Sequence, residues 1–364
     1  MRVLVYEFAS GGGLAGDRVP RSLAREGAAM RAALVDDLIA IGGLHIVTTA
    51  DAHVAPRLPR GVEVTVLPSG DRARAAALDR LIASVDGVWL IAPETGGCLE
   101  RLAESVERQG KVLFGSTADA IARAADKARL PARLAAAGVR HPLTRPIGPV
   151  ADRRDRGAAI AYPAVVKPAR GAGSDGVILV RTARGLERAV ADARQAARGG
   201  AVVAQEFIPG TPASVSLLAD GRDAIALALN AQAIASPRSF AYRGGTTPLE
   251  HPLSSAALAA ALAACRALPG LRGFVGVDLI LTGTDVFVIE VNARLTTAFL
   301  GLRAAIDDNV AALALTACAG RLPPRPALRR GVRFSSAGRV VFEKLRCPRP
   351  SFVASRGFTT RASS

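Results

Sequence analysis

Over the first 115 residues, short apolar runs alternate with helical patterns, and this alternation most restricts what the chain can fold into. Runs at 3–8, 46–49, 62–67, 88–92 and 112–115 each suit one strand, while 21–41, 73–84 and 98–108 carry helical spacing. Gly42-Gly43 gives the first helix its stop. The pattern argues for an α/β fold that opens with a parallel α/β domain over residues 1–115.

The text then changes character. Residues 117–137 read as helical and end at Gly138 and Pro142, with Asp126-Lys127 placed at the start of a helix. Pro163-Ala-Val-Val-Lys-Pro168 predicts a buried strand that runs into a Gly-rich stretch at 170–176, with 177–180 as the returning strand. A helix at 186–197 and a strand at 202–208 follow. Antiparallel strands are expected at 213–219 and 224–233, then a looser stretch at 236–252 and a helix at 255–267. A hairpin, 275–281 with 286–291, turns at Thr282-Gly-Thr-Asp285, and a last helix covers 299–319. These elements divide into two α+β units, 116–204 and 205–322, and a basic extension at 323–364 with a frayed tail from Arg346.

The formal net charge of +16 raises the question of nucleic acid, but only four of the 47 basic residues are lysines. The arginines are dispersed and few aromatics are present to stack on bases, which argues for codon bias and against nucleic-acid binding. In a chain that writes nearly every cation as Arg, a retained Lys has a reason, because the two differ at a phosphate. No apolar run approaches the ~20 residues of a membrane helix, and the N-terminus opens on a strand-like run rather than a signal-peptide layout. Cys98, Cys265, Cys318 and Cys347 lie far apart with no paired spacing, as expected of a reducing, cytoplasmic protein.

After the first strand, Gly11, Gly13 and Gly16 formally match the dinucleotide fingerprint G-x-G-x-x-G. The acid that should end the second strand is missing, since that window falls on Asp36 and Asp37 inside a helical pattern and Asp51 lies further on. Pro20 also delays the helix. This loop is read as a tight turn, or as one whose amides and Ser10 suit a carboxylate or phosphate.

Three separated segments carry a common chemistry: Asp126-Lys127, the run Val165 to Gly176, and the hairpin pair Val277-Asp278-Leu279 and Val288-Ile-Glu290-Val-Asn292-Ala-Arg294. Moving a γ-phosphoryl group onto a carboxylate gathers several anionic oxygens, so its catalysis is mainly charge neutralisation and positioning. Glycines let a loop lay its amides over phosphates. An Asp on one strand, with Glu and Asn alternating on its hairpin neighbour, turns three oxygen ligands to one face, a set suited to Mg2+, with Mn2+ as a substitute. Arg294, two residues past Asn292, shares that face if the strand persists and is a candidate for holding the developing oxyanion or the carboxylate.

These segments resemble the ATP-grasp superfamily in order and spacing over roughly residues 1–320. The resemblance implies an N-terminal pre-ATP-grasp domain and two α+β lobes clasping ATP. It implies that Lys127 and Lys167 contact ATP phosphates; Lys167, together with Arg294 from its place beyond Asn292, is the catalytic candidate. It assigns the flexible phosphate loop to Arg170, Gly171, Gly173, Ser174 and Gly176, the adenine-holding hinge to Gln205, Glu206, Phe207 and Ile208, and the metal ligands to Asp278, Glu290 and Asn292. Two of four lysines and one of three asparagines fall on these positions. Two departures stand out: Gly210-Thr-Pro212 replaces a ribose-binding Gly-x-Glu, and Gly276 stands where some members carry an Arg.

Finer phrases, Tyr6 to Gly13, Ile91 to Thr95, Ala213 to Ser216 and Asn292 to Thr297, resemble the subgroup containing tyramine–L-glutamate ligase of methanofuran biosynthesis and its relatives in one-carbon pathways. The resemblance implies small-molecule acid and amine substrates and γ-glutamyl transfer to tyramine or tyrosine, with a homodimer common among superfamily members. Candidate substrate contacts are Ser10, Gly11, Gly12, Glu94, Thr95, Tyr242, Arg243, Gly244 and Thr296, with 242–245 as a lid or else a plain surface loop. His251 is read as structural. Three rival readings remain: the same chemistry on another amino acid, peptide or pterin glutamate; a nucleotide-linked oxidoreductase; and a degenerate scaffold subunit.

Overall fold

The computed structural model describes residues 1–14, 20–51, 58–148, 161–235 and 240–343. Gly16 of the N-terminal fingerprint, Lys344, Cys347 and the tail from Arg346 lie outside the described residues.

The N-terminal domain runs β1 (Arg2–Glu7), α1 (Arg21–Ile41), β2 (His45–Ala50), β3 (Glu63–Val66), α2 (Asp71–Ala83), β4 (Gly87–Ile91), α3 (Cys98–Arg108) and β5 (Val112–Leu113). Its sheet has the order β3-β2-β1-β4-β5 with every pairing parallel. Alternation along the central strands explains their unbroken apolar text. Leu4 and Tyr6 face α2 and α3 through Leu78, Ile82, Leu99 and Val106, whereas Val3 and Val5 face α1 through Leu34 and Leu38. Both faces are covered, so no position needs a polar residue.

A second unit comprises α4 (Ala118–Ala125), α5 (Leu130–Ala136), β6 (Thr144–Ile147), β7 (Ala164–Pro168), β8 (Ile178–Val180), α6 (Leu186–Ala196) and β9 (Val202–Glu206). Its four-stranded antiparallel sheet, β6-β9-β7-β8, packs Val166, Val180 and Val202 against Ala189, Val190 and Ala193 of α6. The third unit carries β10 (Thr211–Asp220), β11 (Ala224–Ile234), β12 (Tyr242–Thr247), α7 (Ser254–Arg266), β13 (Arg272–Leu281), β14 (Val286–Asn292), α8 (Ala298–Ala305), α9 (Val310–Cys318), β15 (Gly331–Ser335) and β16 (Val340–Glu343). These strands form one antiparallel sheet of order β14-β13-β10-β11-β12-β15-β16. α7 lies on one face through Ala257, Ala261 and Ala264; α8 and α9 lie on the other, where Phe274 and Phe299 meet edge to face at 5.9 Å. That ring pair adds about 1 kcal/mol beyond its burial.

Four differences from the sequence expectations matter. The predicted helix at 117–137 is two helices, because Asp126 leaves the helical region (ψ 88°) and its Oδ1 accepts the N–H groups of Ala128 and Arg129. Likewise 299–319 splits at Ile306, and Asn309 caps α9 by accepting from Ala312 N. The looser stretch expected at 236–252 contains β12, paired with both β11 and β15, so 242–245 is part of a sheet rather than a lid. Residues 331–343 extend the same sheet, and the extension expected to begin at 323 is therefore partly built into the third unit. Among the described residues no helix is long and apolar enough to cross a membrane.

Candidate functional site

The break between α4 and α5 presents Lys127. Its main-chain N–H donates to Ala169 O at 3.0 Å, just beyond the end of β7, and its Nζ reaches Gly171 O at 2.8 Å and Glu290 Oε2 at 3.1 Å. One ammonium thus touches the Gly-rich loop and the β13–β14 hairpin, which belong to different units.

Lys167 sits on β7 facing the same space and is 5% exposed. Its Nζ donates to Gln205 Oε1 at 2.8 Å, and Gln205 Nε2 donates on to Thr144 Oγ1 at 2.9 Å. Burial pushes the Lys167 ammonium down to about 8, with Lys127 adding to the effect and Glu290 and Asp278 opposing it.

The hairpin register brings the three oxygen donors together. Asp278 is opposite Glu290, and Asn292 is opposite Gly276, two residues away on the same face. Asn292 Nδ2 donates to Asp278 Oδ2 at 3.1 Å, and Gln232 Nε2 from β11 donates to Asp278 Oδ1 at 2.8 Å. Burial and the neighbouring Glu290 carboxylate raise the pKa of Asp278. For Glu290, burial works against the charge, yet Lys127 and Lys167 prevail and lower its pKa. The cluster has two carboxylates and an amide; among the described residues no group of three or more His, Cys, Asp or Glu forms a metal-binding set.

β14 ends at Asn292, so Arg294 lies beyond it. The guanidinium turns to the N-terminal domain, where Nε and Nη2 meet the two oxygens of Glu94 at 2.8 and 2.9 Å. Both side chains are largely buried, and Glu94 raises the pKa of Arg294 against the opposing effect of burial. Two sequence candidates therefore occupy each other.

The Gly-rich loop is held from several directions. Arg170 pairs with Glu100, Ala172 N–H donates to Thr95 Oγ1 at 3.1 Å, and Ser174 Oγ donates to Phe240 O. Gly173 and Gly176 take φ of +69° and +68°. Gly176 is also packed, since a Cβ there would stand 2.5 Å from that of Ala196.

A pre-ATP-grasp domain model matches residues 44–121, and an ATP-grasp domain model matches residues 124–298. The chain belongs to the ATP-grasp family. Its ATP-grasp fold is shared with a crystal structure from Archaeoglobus fulgidus assigned to that superfamily, at 25% identity, 92% coverage of both chains and a TM-score of 0.68. A tyramine–L-glutamate ligase of Methanocaldococcus jannaschii is 39% identical over 99 residues, 27% of this chain and 31% of that relative. A D-alanine–D-alanine ligase of Desulforudis audaxviator is 31% identical over 191 residues, 49% of this chain and 61% of that enzyme. The chain thus matches about a third of the length of the methanogen ligase.

Within the ATP-grasp framework, the expected hinge residues divide. Gln205 is buried toward Lys167, Glu206 is exposed with its carboxylate accepting Leu143 N–H at 3.3 Å, and Phe207 and Ile208 are half-buried. The space at Gly276 is filled by Thr296, whose Cγ2 would stand 2.7 Å from an added Cβ.

The N-terminal candidates are buried. Ser10 is fully enclosed with its hydroxyl donated to Glu7, Gly11 is pressed on Glu7 O, and Gly12 (φ +90°) packs over Leu67. In β12, Tyr242 is half-buried, with its pKa raised by burial and then by Asp278 and Glu26. Arg243 is exposed, and Gly244 lies under Phe334 O. His251 accepts Leu253 N–H at Nδ1, at 3.1 Å, next to the start of α7.

Sequence reasoning missed Gln232, Glu100, Thr144 and Glu26, whose carboxylate accepts from Thr297 Oγ1 beside α8. Gln232 left a signal, as a polar residue two positions from Asn230 in an otherwise apolar strand. Glu26 and Glu100 left none, since acids on exposed helix turns are commonplace.

Proposed function

We propose that this chain is an ATP-dependent carboxylate–amine ligase, with Lys127, Lys167, Asp278, Glu290 and Asn292 as its phosphoryl-transfer site. The observation that carries this is the convergence of two ammonium groups from one unit on the oxygen donors of another, with Lys127 touching Glu290 and the Gly-rich loop together. Phosphoryl transfer to a carboxylate needs little from a protein beyond that kind of charge placement.

The donor set fits a divalent cation. Asp278 and Glu290 stand opposite one another on the hairpin, with the Asn292 amide on the same face, a set of hard oxygen donors. Asp278, Glu290 and Asn292 would hold such an ion, which would supply Lewis-acid charge at the phosphates when bound. Lys127 and Lys167 orient the phosphates, and the amides of 170–176 cover them. A carboxylate oxygen takes the γ-phosphoryl group and ADP leaves. The amine nitrogen then attacks the acyl carbon, its C–O bond to phosphate breaks, and the nitrogen gives up a proton. Gln205 holds the Lys167 ammonium in place, and Glu206 to Ile208 form the strip proposed for adenine.

For the acid and amine, we favour γ-glutamyl transfer to tyramine or tyrosine, supported by the 39% identity to the methanogen ligase. Arg294, Glu94, Thr296 and Tyr242 are the proposed substrate-side residues. A phosphate-release screen with MgATP and acid–amine pairs, including glutamate with tyramine and with tyrosine, tests this directly. Asp278→Asn or Glu290→Gln should lower turnover on the order of 100-fold with the fold intact. Near-wild-type turnover in both would remove the hairpin from the site.

A further inference from the structure

Beyond β4 the chain makes one short 3-10 turn, Thr95–Gly97, in which Gly96 and Gly97 take φ of +59° and +71°. The residues at its head serve different units. Glu94 grips Arg294, on the segment that follows β14. Thr95 Oγ1 accepts the N–H of Ala172 in the Gly-rich loop at 3.1 Å. One turn later Glu100 pairs with Arg170 at the start of that loop, and Arg101 closes the turn on Gly96 O at 2.6 Å. Gly97 holds φ of +71°, a conformation that side chains rarely adopt, so a larger residue there would strain the turn.

We infer that Thr95 and Glu100 are positioning residues that latch the Gly-rich loop onto the N-terminal domain, and that the Glu94–Thr95 turn ties loop closure to the Arg294 side of the cleft. This depends on 170–176 being the loop that covers the nucleotide, as proposed above. Thr95 then acts through the loop rather than by touching an acid or amine substrate. The chemistry favours this assignment. A loop peptide N–H carries one donor hydrogen, and here its acceptor is a side-chain oxygen from another domain rather than an atom of its own loop. Arg170 and Glu100 add a charge-assisted pair whose two ends likewise come from the loop and the N-terminal domain. Glu94 is adjacent in the chain to Thr95 and is held through both oxygens, so the residues that grip Arg294 and the loop are consecutive.

The test uses the full chain in two arms. In nucleotide-free protein, hydrogen exchange over 170–176 should quicken in Thr95→Val and in Glu100→Gln and return to the wild-type rate in Thr95→Ser, which keeps the hydroxyl. With a non-hydrolysable MgATP analogue, Thr95→Val combined with Glu100→Gln should weaken binding by about tenfold, the scale of one net hydrogen bond, and raise the KM for ATP while kcat at saturating ATP is kept. Unchanged exchange across 170–176 in both single variants overturns the latch. If wild-type protein binds no analogue, the ligase proposal fails, while the exchange arm still decides the latch. A raised KM for the acid alone, with ATP unaffected, would return Thr95 to the substrate and overturn the inference.

Discussion

Two glycine-rich segments follow β-strands in this chain, and they are built on opposite principles. Residues 8–14, after β1, close mainly on themselves and on Glu7, with Phe8 N–H and Ser10 O reaching Ile91 and Asp51. Glu7 accepts the N–H groups of Ala9 and Ser10 and the Ser10 hydroxyl, while Gly11 N–H and Gly13 N–H return to Glu7 O and Phe8 O. Residues 170–176, after β7, are held by Thr95, Glu100, Lys127 and Phe240, every one distant in sequence. The glycines reflect the same contrast: a Cβ on Gly11 would stand 2.1 Å from Glu7 O, whereas one on Gly173 would meet nothing within 4 Å. At Gly11 glycine is needed because the backbone is packed, and at Gly173 because the backbone must turn in open space, while Gly176 closes the loop against Ala196. Only the second kind leaves room for a ligand, and composition alone does not separate them.

Removing the anchor of the first segment should have the largest effect. Glu7 is 3% exposed, with its pKa raised by burial and lowered again by its hydrogen bonds to Ser10 and Ala9 and by Arg31. Glu7→Ala leaves three buried donors without an acceptor, each worth roughly 1–3 kcal/mol, so the loss should be at least about 3 kcal/mol. The denaturant midpoint measures it. A drop below about 1 kcal/mol, on that same scale, would mean that the corner is not organised by Glu7. A smaller loss is expected for Gly11→Ala, about 2–3 kcal/mol, because the new methyl group presses on a main-chain oxygen that cannot swing aside. Wild-type stability there would make the two glycine segments alike and break the contrast.

The same contrast explains what was legible in the sequence. Local order was readable: all five parallel strands, the β13–β14 hairpin and the α6 and α7 helices fall where periodicity places them, because each repeats a pattern over its own residues. The break at 126–129 was hidden by the good helix formers around it; a single Asp side chain redirects the backbone there and sends Lys127 toward the loop. β12 was hidden because Tyr242-Arg-Gly-Gly245 reads as a turn, and only its neighbours β11 and β15 make it a strand. The proposed site residues on β7, β13 and β14 were legible because strand alternation fixes which face they share. Partners supplied by another unit, such as Glu94 for Arg294 or Glu100 for Arg170, follow from tertiary packing and leave no periodic trace.

The smallest stability effect sharpens the comparison most. Gly173 has φ of +69°, a left-handed position that Asn tolerates better than any β-branched residue, and its surroundings are open. Gly173→Asn should therefore change stability by less than about 1 kcal/mol, far from the loss expected at Gly11. The loop should keep its contacts with Thr95, Glu100 and Phe240, because none of them involves residue 173. What changes is the surface that the loop offers to a nucleotide, now carrying an amide side chain where there was only backbone. Binding of a MgATP analogue is the sensitive readout, with the midpoint as the control. Weakened binding at an unchanged midpoint marks 170–176 as a ligand-facing loop. Unaltered binding with a fall in stability like that of Gly11→Ala would instead make it a second packed corner.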